Sequence, residues 1–472
     1  MNKDRLINIF WLLFENFGLV FLSALSFFSF AIYLTPTQLG LGALTIVLCE
    51  IVSSFYCAVF EAPLIRRGAK SRKELSSVFW FGGMVSATTI LILAGFYYLF
   101  DSDSSVWKML LLSTVSVLST TLARPYIAIL RCKREFKKLA LRTLWGKIIG
   151  SGCGIASAVL GAGEWALIIQ LTTMNLVAFL ILLRSASSFL FVTPSKERFI
   201  SILREGTPVG ARKLISGFLG RGIVIILSVV TTPAIIGYYS FGRRIVELPK
   251  QALLAAINSY AMPVFTSRYR NKKVIAHLFT ELTICIFLIT LPLFVLLSIF
   301  GKELITDIFG EKWIGAIPFF VLFAFISGAQ MLVALPETLQ AAFGRSKIGL
   351  YAELGKAIAL LVITFHLAAK YGLLAIALVI ALDFIFNLVI RYYVVYKLIP
   401  NLAFNFWIDI IKITVGTAVT ALTSYYAIEF LQPTSALLIT LGVLSVIMQG
   451  LIMMLLFGFW HKRILNLLSD SH

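Results

Sequence analysis

Thr35-Pro36-Thr37-Gln38-Leu39-Gly40 opens an apolar run over 41–62 that stops at Arg66-Arg67-Gly68-Ala69-Lys70-Ser71-Arg72-Lys73. A run of this length crosses a hydrocarbon core of about 30 Å as a helix. Its two ends differ, one uncharged and one strongly basic, and positive charge marks the cytoplasmic side of a membrane. Working outward, the same alternation predicts helices near 8–33, 41–62, 77–100, 107–130, 139–161, 165–184, 207–231, 235–260, 277–300, 315–341, 348–369, 373–393, 407–429 and 435–458. Every second gap is basic: Arg131-Cys132-Lys133-Arg134, Lys196-Glu197-Arg198, Arg268-Tyr269-Arg270-Asn271-Lys272-Lys273, Arg345-Ser346-Lys347 and His461-Lys462-Arg463. The others are acidic or small, among them Asp101-Ser102-Asp103, Gly161-Ala162-Gly163-Glu164, Thr232-Pro233 and Gln432-Pro433-Thr434. An all-α, polytopic protein of the bacterial inner membrane with about 14 transmembrane helices is expected, both termini in the cytoplasm.

Composition narrows the function. Of 472 residues, 59% are hydrophobic and 13% charged, a balance that no water-exposed globular surface tolerates. Lys and Arg outnumber Asp and Glu by 41 to 22, yet the excess sits in short loops, so topology rather than nucleic acid accounts for it. Cys49, Cys57, Cys132, Cys153 and Cys285 form no CxxC pair and the four histidines stand apart, so neither a metal nor a redox pair is expected. No GxxxxGK[ST] motif is present, which argues against ATP hydrolysis, and nothing points to a cofactor or to covalent catalysis. Met1-Asn2-Lys3-Asp4-Arg5 leads into a full-length span without a small-residue cleavage site and reads as a retained first helix.

The chain also repeats. Thr35-Pro36 recurs as Thr232-Pro233, and the same offset of 197 residues carries Glu50 onto Glu247. Gly146-Lys147 recurs as Gly355-Lys356 and Gly163 as Gly372, both at an offset of 209, while Pro125 finds Pro336. Each match relates a helix to the one six later. Six is even, so the halves share an orientation: two pseudo-symmetric six-helix lobes over 1–200 and 201–400, with 401–472 as two additional helices and a short tail.

Tyr33-Leu34-Thr35-Pro36 with Leu39-Gly40, Leu64-Ile65-Arg66-Arg67, Leu75-Ser76-Ser77-Val78-Phe79-Trp80 and Gly163-Glu164-Trp165-Ala166-Leu167 resemble the polysaccharide-transport family. Ile236-Gly237-Tyr238-Tyr239-Ser240, Glu247-Leu248-Pro249, Phe309-Gly310-Glu311-Lys312-Trp313 and Phe343-Gly344-Arg345 continue the resemblance in the second half. These are the O-antigen and exopolysaccharide flippases of the multidrug/oligosaccharidyl-lipid/polysaccharide exporter superfamily. The resemblance implies lobes arranged as a V and a substrate, an oligosaccharide on undecaprenyl pyrophosphate, turned from the cytoplasmic to the periplasmic leaflet by alternating access. It implies a transporter rather than an enzyme, with membrane lipids, a polysaccharide polymerase and a chain-length regulator as partners, and a proton, a sodium ion or the membrane potential as driver. One departure stands out: family members often carry an aspartate just after an arginine in helix seven, whereas Arg221 is followed by Gly222-Ile223-Val224.

Charges deep in spans carry the candidate chemistry, because a charge at the bilayer centre costs about 2.5–3.5 kcal/mol on insertion scales and is kept mainly where it faces a cavity or a partner. Arg221 is the deepest cation, on a small or polar stripe with Lys213, Gly217, Gly220, Val224 and Ser228. Lys147 with Gly150, Ser151 and Gly154 makes a similar stripe on helix five, and Lys356 is its repeat mate. With Arg124, which precedes Pro125 where helix four is expected to kink, these are the candidate pyrophosphate ligands, against the alternatives of snorkelling lysines, close helix packing and a capped helix break. Glu50, Ser54, Cys57 and Glu61 share a face of helix two, and Arg243, Glu247, Gln251 and Asn258 do the same on helix eight. Glu50, Glu247, Arg243 and Asp383 are the coupling or gating candidates, with Glu15 weaker, and a purely structural ion pair is the competing reading. Rival functions are a peptidoglycan lipid II flippase, a cation-coupled multidrug exporter with twelve helices and an acid-dominated site, and a membrane polymerase or acyltransferase.

Overall fold

A computed structural model describes residues 3–184, 192–268, 271–343, 373–399, 404–431 and 435–457, with isolated positions between 355 and 367. Helices account for nearly all of it, and no strand occurs among the described residues. In order they are α1 Lys3–Tyr33, α2 Pro36–Arg66, α3 Arg72–Ser77, a π-helical turn Val78–Gly82, α4 Gly83–Phe100, α5 Val106–Leu122, α6 Arg124–Cys132, α7 Phe136–Val159, α8 Trp165–Leu183, α9 Lys196–Val230 and α10 Pro233–Arg268. There follow α11 Lys272–Ile299, α12 Gly301–Phe309, the 3-10 turn Glu311–Ala316, α13 Ile317–Gln330, the 3-10 turn Met331–Val333, α14 Ala334–Ala342, α15 Leu373–Leu398, α16 Phe404–Leu431 and α17 Ser435–Phe457. Most of the helix expected over 348–369, and the side chain of Glu15, lie outside the described residues. Eight stretches among the described residues are long and apolar enough to cross a membrane. The protein is an all-α multi-pass membrane protein.

Local chemistry sets the helix ends. Thr35 caps α2, accepting from the Gln38 amide while the Gln38 side chain accepts from the Thr35 amide, and Pro36 sits at the first helical position where no N–H is needed. Pro233 opens α10 in the same way. The expected kink of helix four is a break, since α5 ends at Leu122 and α6 restarts at Arg124 with Pro125 in its first turn. Helix ten breaks at the matching place, through Met331–Val333, with Pro336 in the first turn of α14. A proline that cannot donate to the preceding turn explains both breaks. α9 begins at Lys196, capped by Ser195, not near 207 as the apolar run suggests. Hydropathy marks the hydrocarbon slab, whereas the helix continues beyond it.

The chain divides into two compact units, Met1–Ser240 and Phe241–His472. The division falls later than residue 200, where the repeat begins again, because α9 packs along α2. A side chain on Gly206 would run into the Val59 carbonyl group, and one on Gly210 into Phe55. The first unit's core gathers Tyr56, Phe60, Phe79, Tyr126 and Phe199; the second unit's gathers Phe279, Phe287, Tyr392 and Phe406. In the first unit the glycine stripe of helix five is a packing seam, not a water-lined face. A Cβ on Gly146 would lie 2.7 Å from the Met174 carbonyl oxygen, on Gly150 2.6 Å from Met174 Cβ, and on Gly154 2.6 Å from Gln170 Cβ. Ser151 in the same stripe is buried and bonded to Ser26 and Gln170. Small residues here let α7 and α8 approach closely.

Candidate functional site

Arg221 lies about three-quarters of the way along α9 and reaches across to α2, where its Nε donates to Glu50 Oε2 at 3.1 Å. The side chains remain 32% and 48% exposed, so the pair is not sealed in a core. Gly217, one turn earlier, leaves room for the guanidinium, since a Cβ there would stand 2.6 Å from Arg221 Nη1. A guanidinium fork of this kind can grip a carboxylate or a phosphate with two nitrogens at once, so an anion that takes Nε with an Nη exchanges with Glu50. Arg221, singled out by its depth and its small or polar stripe, and Glu50, singled out by its repeat mate and its helix face, are thus brought together.

The Arg66 end of α2 carries a denser cluster. Arg67 donates from Nε and Nη2 to Glu205 Oε2 at 3.0 and 2.7 Å, from Nη1 to Glu74 at 2.9 Å, and from Nη2 to Ser201 at 3.0 Å. Arg66 pairs with the other oxygen of Glu205, and Arg198 reaches Glu74 at 3.5 Å. The hydrogen bonds to Glu205 hold the Arg67 guanidinium still more firmly charged than usual. The cluster ties the end of α2 to α3 and to the first turns of α9. In sequence these residues read as loop charge, and their pairing is not visible. The signal for the cluster was Ser195 followed by Lys196-Glu197-Arg198, a helix start rather than a linker.

Arg124 is committed elsewhere. Its Nε donates to the Thr120 carbonyl at 3.0 Å, capping the helix-four break, and its Nη1 to Glu61 at 2.7 Å, while Arg131 takes the second Glu61 oxygen at 2.6 Å. Glu61 therefore shares a helix face with Glu50 but pairs with Arg124 and Arg131 at the helix-four break, whereas Glu50 pairs with Arg221 of α9. Lys147, partly buried, follows Gly146 on the α7–α8 seam.

The second unit holds its own charged set. Arg243 Nε donates to Glu247 at 2.7 Å within α10. Lys356 is buried, with its Nζ 2.8 Å from Asp383 and 2.9 Å from the Asn387 amide oxygen on α15. Arg391 pairs with Glu337 at 2.7 Å, and Thr338 donates to Asn258 at 2.6 Å beside the helix-ten break. Lys250 on α10 was passed over in the sequence, although a mid-span lysine meets the same depth criterion as Arg221. Its Nζ donates to Gln330, the last residue of α13, with Glu247, Asp383 and Glu337 near enough to act on its charge. Among the described residues no three His, Cys, Asp or Glu side chains gather as a metal site would require.

The all-helical chain has the fold of multidrug/oligosaccharidyl-lipid/polysaccharide transporters, as superposition on two solved structures shows. It superposes on a lipid II flippase, MurJ, in an inward closed conformation with a TM-score of 0.75 at 14% identity, over 97% of this chain and 100% of that one. It also superposes on an inward-facing multidrug resistance transporter of the MATE family with a TM-score of 0.57 at 15% identity, over 84% and 95%. The chain belongs to the polysaccharide biosynthesis protein family, whose model matches residues 30–318. Its relatives include the teichuronic acid biosynthesis protein TuaB of Bacillus subtilis, 23% identical over 74% of this chain and 73% of that protein. Another is the succinoglycan biosynthesis transport protein ExoT of Rhizobium meliloti, 20% identical over 62% of this chain and 60% of that protein's length. The family resemblance carried by the motifs from Tyr33 to Trp313 is borne out.

Proposed function

We propose that this protein is a flippase that moves an undecaprenyl-pyrophosphate-linked oligosaccharide from the cytoplasmic to the outer leaflet for the synthesis of a surface polysaccharide. The observation that carries the proposal is Arg221: a guanidinium deep in a span, tied by one nitrogen to Glu50, with room made beside it by Gly217. A diphosphate loses much hydration on entering such a site, and a charged, planar, two-pronged donor offsets that loss better than a neutral one. The basic loops support an orientation with the Arg66 end of α2 in the cytoplasm and the Thr35 end outside. Family membership and the transport role in ExoT's name support the reading.

Residue roles follow from the partners. Arg221 is the anion ligand, and Glu50 is the group it releases. Lys147 remains a candidate second ligand. Arg124, held by Thr120 and Glu61, serves chiefly to keep helix four broken at its proline. The pairs Lys356–Asp383 and Arg243–Glu247 are coupling candidates for a proton, a sodium ion or the membrane potential, one charge being worth about 2.3 kcal/mol per 100 mV. A polymerase and a chain-length regulator would take the product on the outer side.

Mass spectrometry of polyprenyl lipids in a strain lacking the protein, beside a complemented strain, tests the proposal. A diphosphate-linked repeat unit is expected to accumulate on the cytoplasmic leaflet and to clear on complementation. An unchanged lipid profile with new sensitivity to cationic dyes would replace the proposal by multidrug export. Accumulation of the peptidoglycan precursor would replace it by lipid II flipping.

A further inference from the structure

At their Thr35 and Thr232 ends, α2 and α10 touch backbone to backbone. A Cβ on Gly40 would collide with the Pro233 carbonyl group and lie 2.9 Å from the Gly237 nitrogen. A Cβ on Gly237 would collide with the Pro36 carbonyl group and lie 3.2 Å from the Gly40 nitrogen. The contact is reciprocal, and its members are repeat mates, since Gly40 and Gly237, like Pro36 and Pro233, stand 197 residues apart. Both glycines are helical with no positive φ, so what glycine supplies here is the absence of a side chain.

We infer that Gly40 and Gly237 form a backbone latch that closes the outer end of the transport path, and that these two helix ends part when the path opens outward. Three features suit a contact that must break and re-form. It is made by backbone atoms held at fixed helical positions, so no side-chain rotamers are ordered each time it closes. The prolines at the helix starts bring no N–H that would be stranded on parting. Helices in contact at small residues approach closely without a charge to desolvate. The Arg66 end of α2 is instead tied to α9 by ion pairs, so the two ends of one helix are held by different chemistry. The inference rests on the proposed function for the transport path and for which end of α2 is outer.

The test reads accessibility, not transport, so its failure is separable from failure of the flippase reading. The full chain, with its five cysteines replaced, carries Glu50→Cys in right-side-out vesicles. Glu50 lies ten residues from Gly40, about 15 Å along α2. A membrane-impermeant maleimide is applied from outside. Gly40→Ala and Gly237→Ala are each expected to speed labelling about tenfold, the population change that 1.4 kcal/mol gives. Gly152→Ala, whose Cβ meets nothing within 4 Å, is expected to leave it unchanged. A second measurement keeps both glycines: a short cross-link between Thr37→Cys and Thr232→Cys, at two exposed positions, is expected to suppress labelling at position 50. Unchanged labelling in folded alanine variants, or labelling as fast with the cross-link as without it, would overturn the latch. If the alanine variants fail to insert, the cross-link result decides alone.

Discussion

Replacing Arg221 separates ligand binding from ion pairing, because the two roles differ in size. The Arg221–Glu50 pair joins side chains that are a third and a half exposed, and such pairs contribute about 0–1 kcal/mol to stability. A hydrogen bond from a charged group to a diphosphate oxygen contributes about 1.5–3 kcal/mol. Arg221→Gln is therefore expected to slow flipping of a lipid-linked oligosaccharide in proteoliposomes by about ten- to a hundredfold. Thermal stability should fall by at most about 1 kcal/mol. The exchange Arg221→Glu with Glu50→Arg restores an opposite-charge pair but moves the cation from α9 to α2. If position matters, the exchange regains stability and not transport. Full transport by the exchanged protein would refute the ligand role and leave Arg221 as half of a structural pair.

Further outcomes follow from partners and packing. Arg67→Ala removes four hydrogen bonds from a partly buried cluster and is expected to cost about 2 kcal/mol, between the exposed and buried limits for ion pairs. Arg66→Ala, at a side chain 73% exposed, should cost under about 1 kcal/mol, and thermal melts of the two variants check the contrast. Lys356→Met leaves Asp383 facing a lost ammonium and is expected to destabilise the protein by about 3 kcal/mol. Lys356→Met with Asp383→Leu should regain most of that stability while transport stays low, as a coupling pair requires; recovery of both in a flipping assay would make the pair structural. Gly150→Ala forces α7 off α8 and is expected to cost about 1–3 kcal/mol, read as a lowered melting temperature beside an unchanged Gly152→Ala control.

What the sequence disclosed was local. Thr35-Pro36 and Thr232-Pro233 name two helix starts because capping and a missing N–H act within one turn. The prolines at 125 and 336 name two helix breaks for the same reason. Partners were illegible where they come from another helix, and no spacing along the chain encodes which neighbour a given depth will meet. Glu50 and Glu61 sit on one face of α2, yet one finds Arg221 on α9 and the other Arg124 on α6. The helix-five glycines looked like a cavity lining because small size serves both lining and packing, and only the position of Met174 decides between them. Lys250 is equally hidden, because its partner Gln330 comes from another helix and no i,i+4 relation within α10 marks it.

α2 is placed to link binding to closure. The Glu50–Arg221 pair lies between its two holds, the glycine contact at the Thr35 end and the Arg67–Glu205 bonds at the Arg66 end, all within the first compact unit. Driving a two-state element from 1:99 to 99:1 takes about 5.5 kcal/mol of differential binding. Two charged hydrogen bonds from the Arg221 guanidinium to an anion would contribute about 3–6 kcal/mol, which is comparable. A single substrate anion is therefore enough to bias the helix only if it meets Arg221 in one state and not in the other. On the proposed reading Glu50 supplies that difference: an anion that takes Nε together with an Nη as a bidentate pair displaces Glu50 and frees a carboxylate on α2 itself.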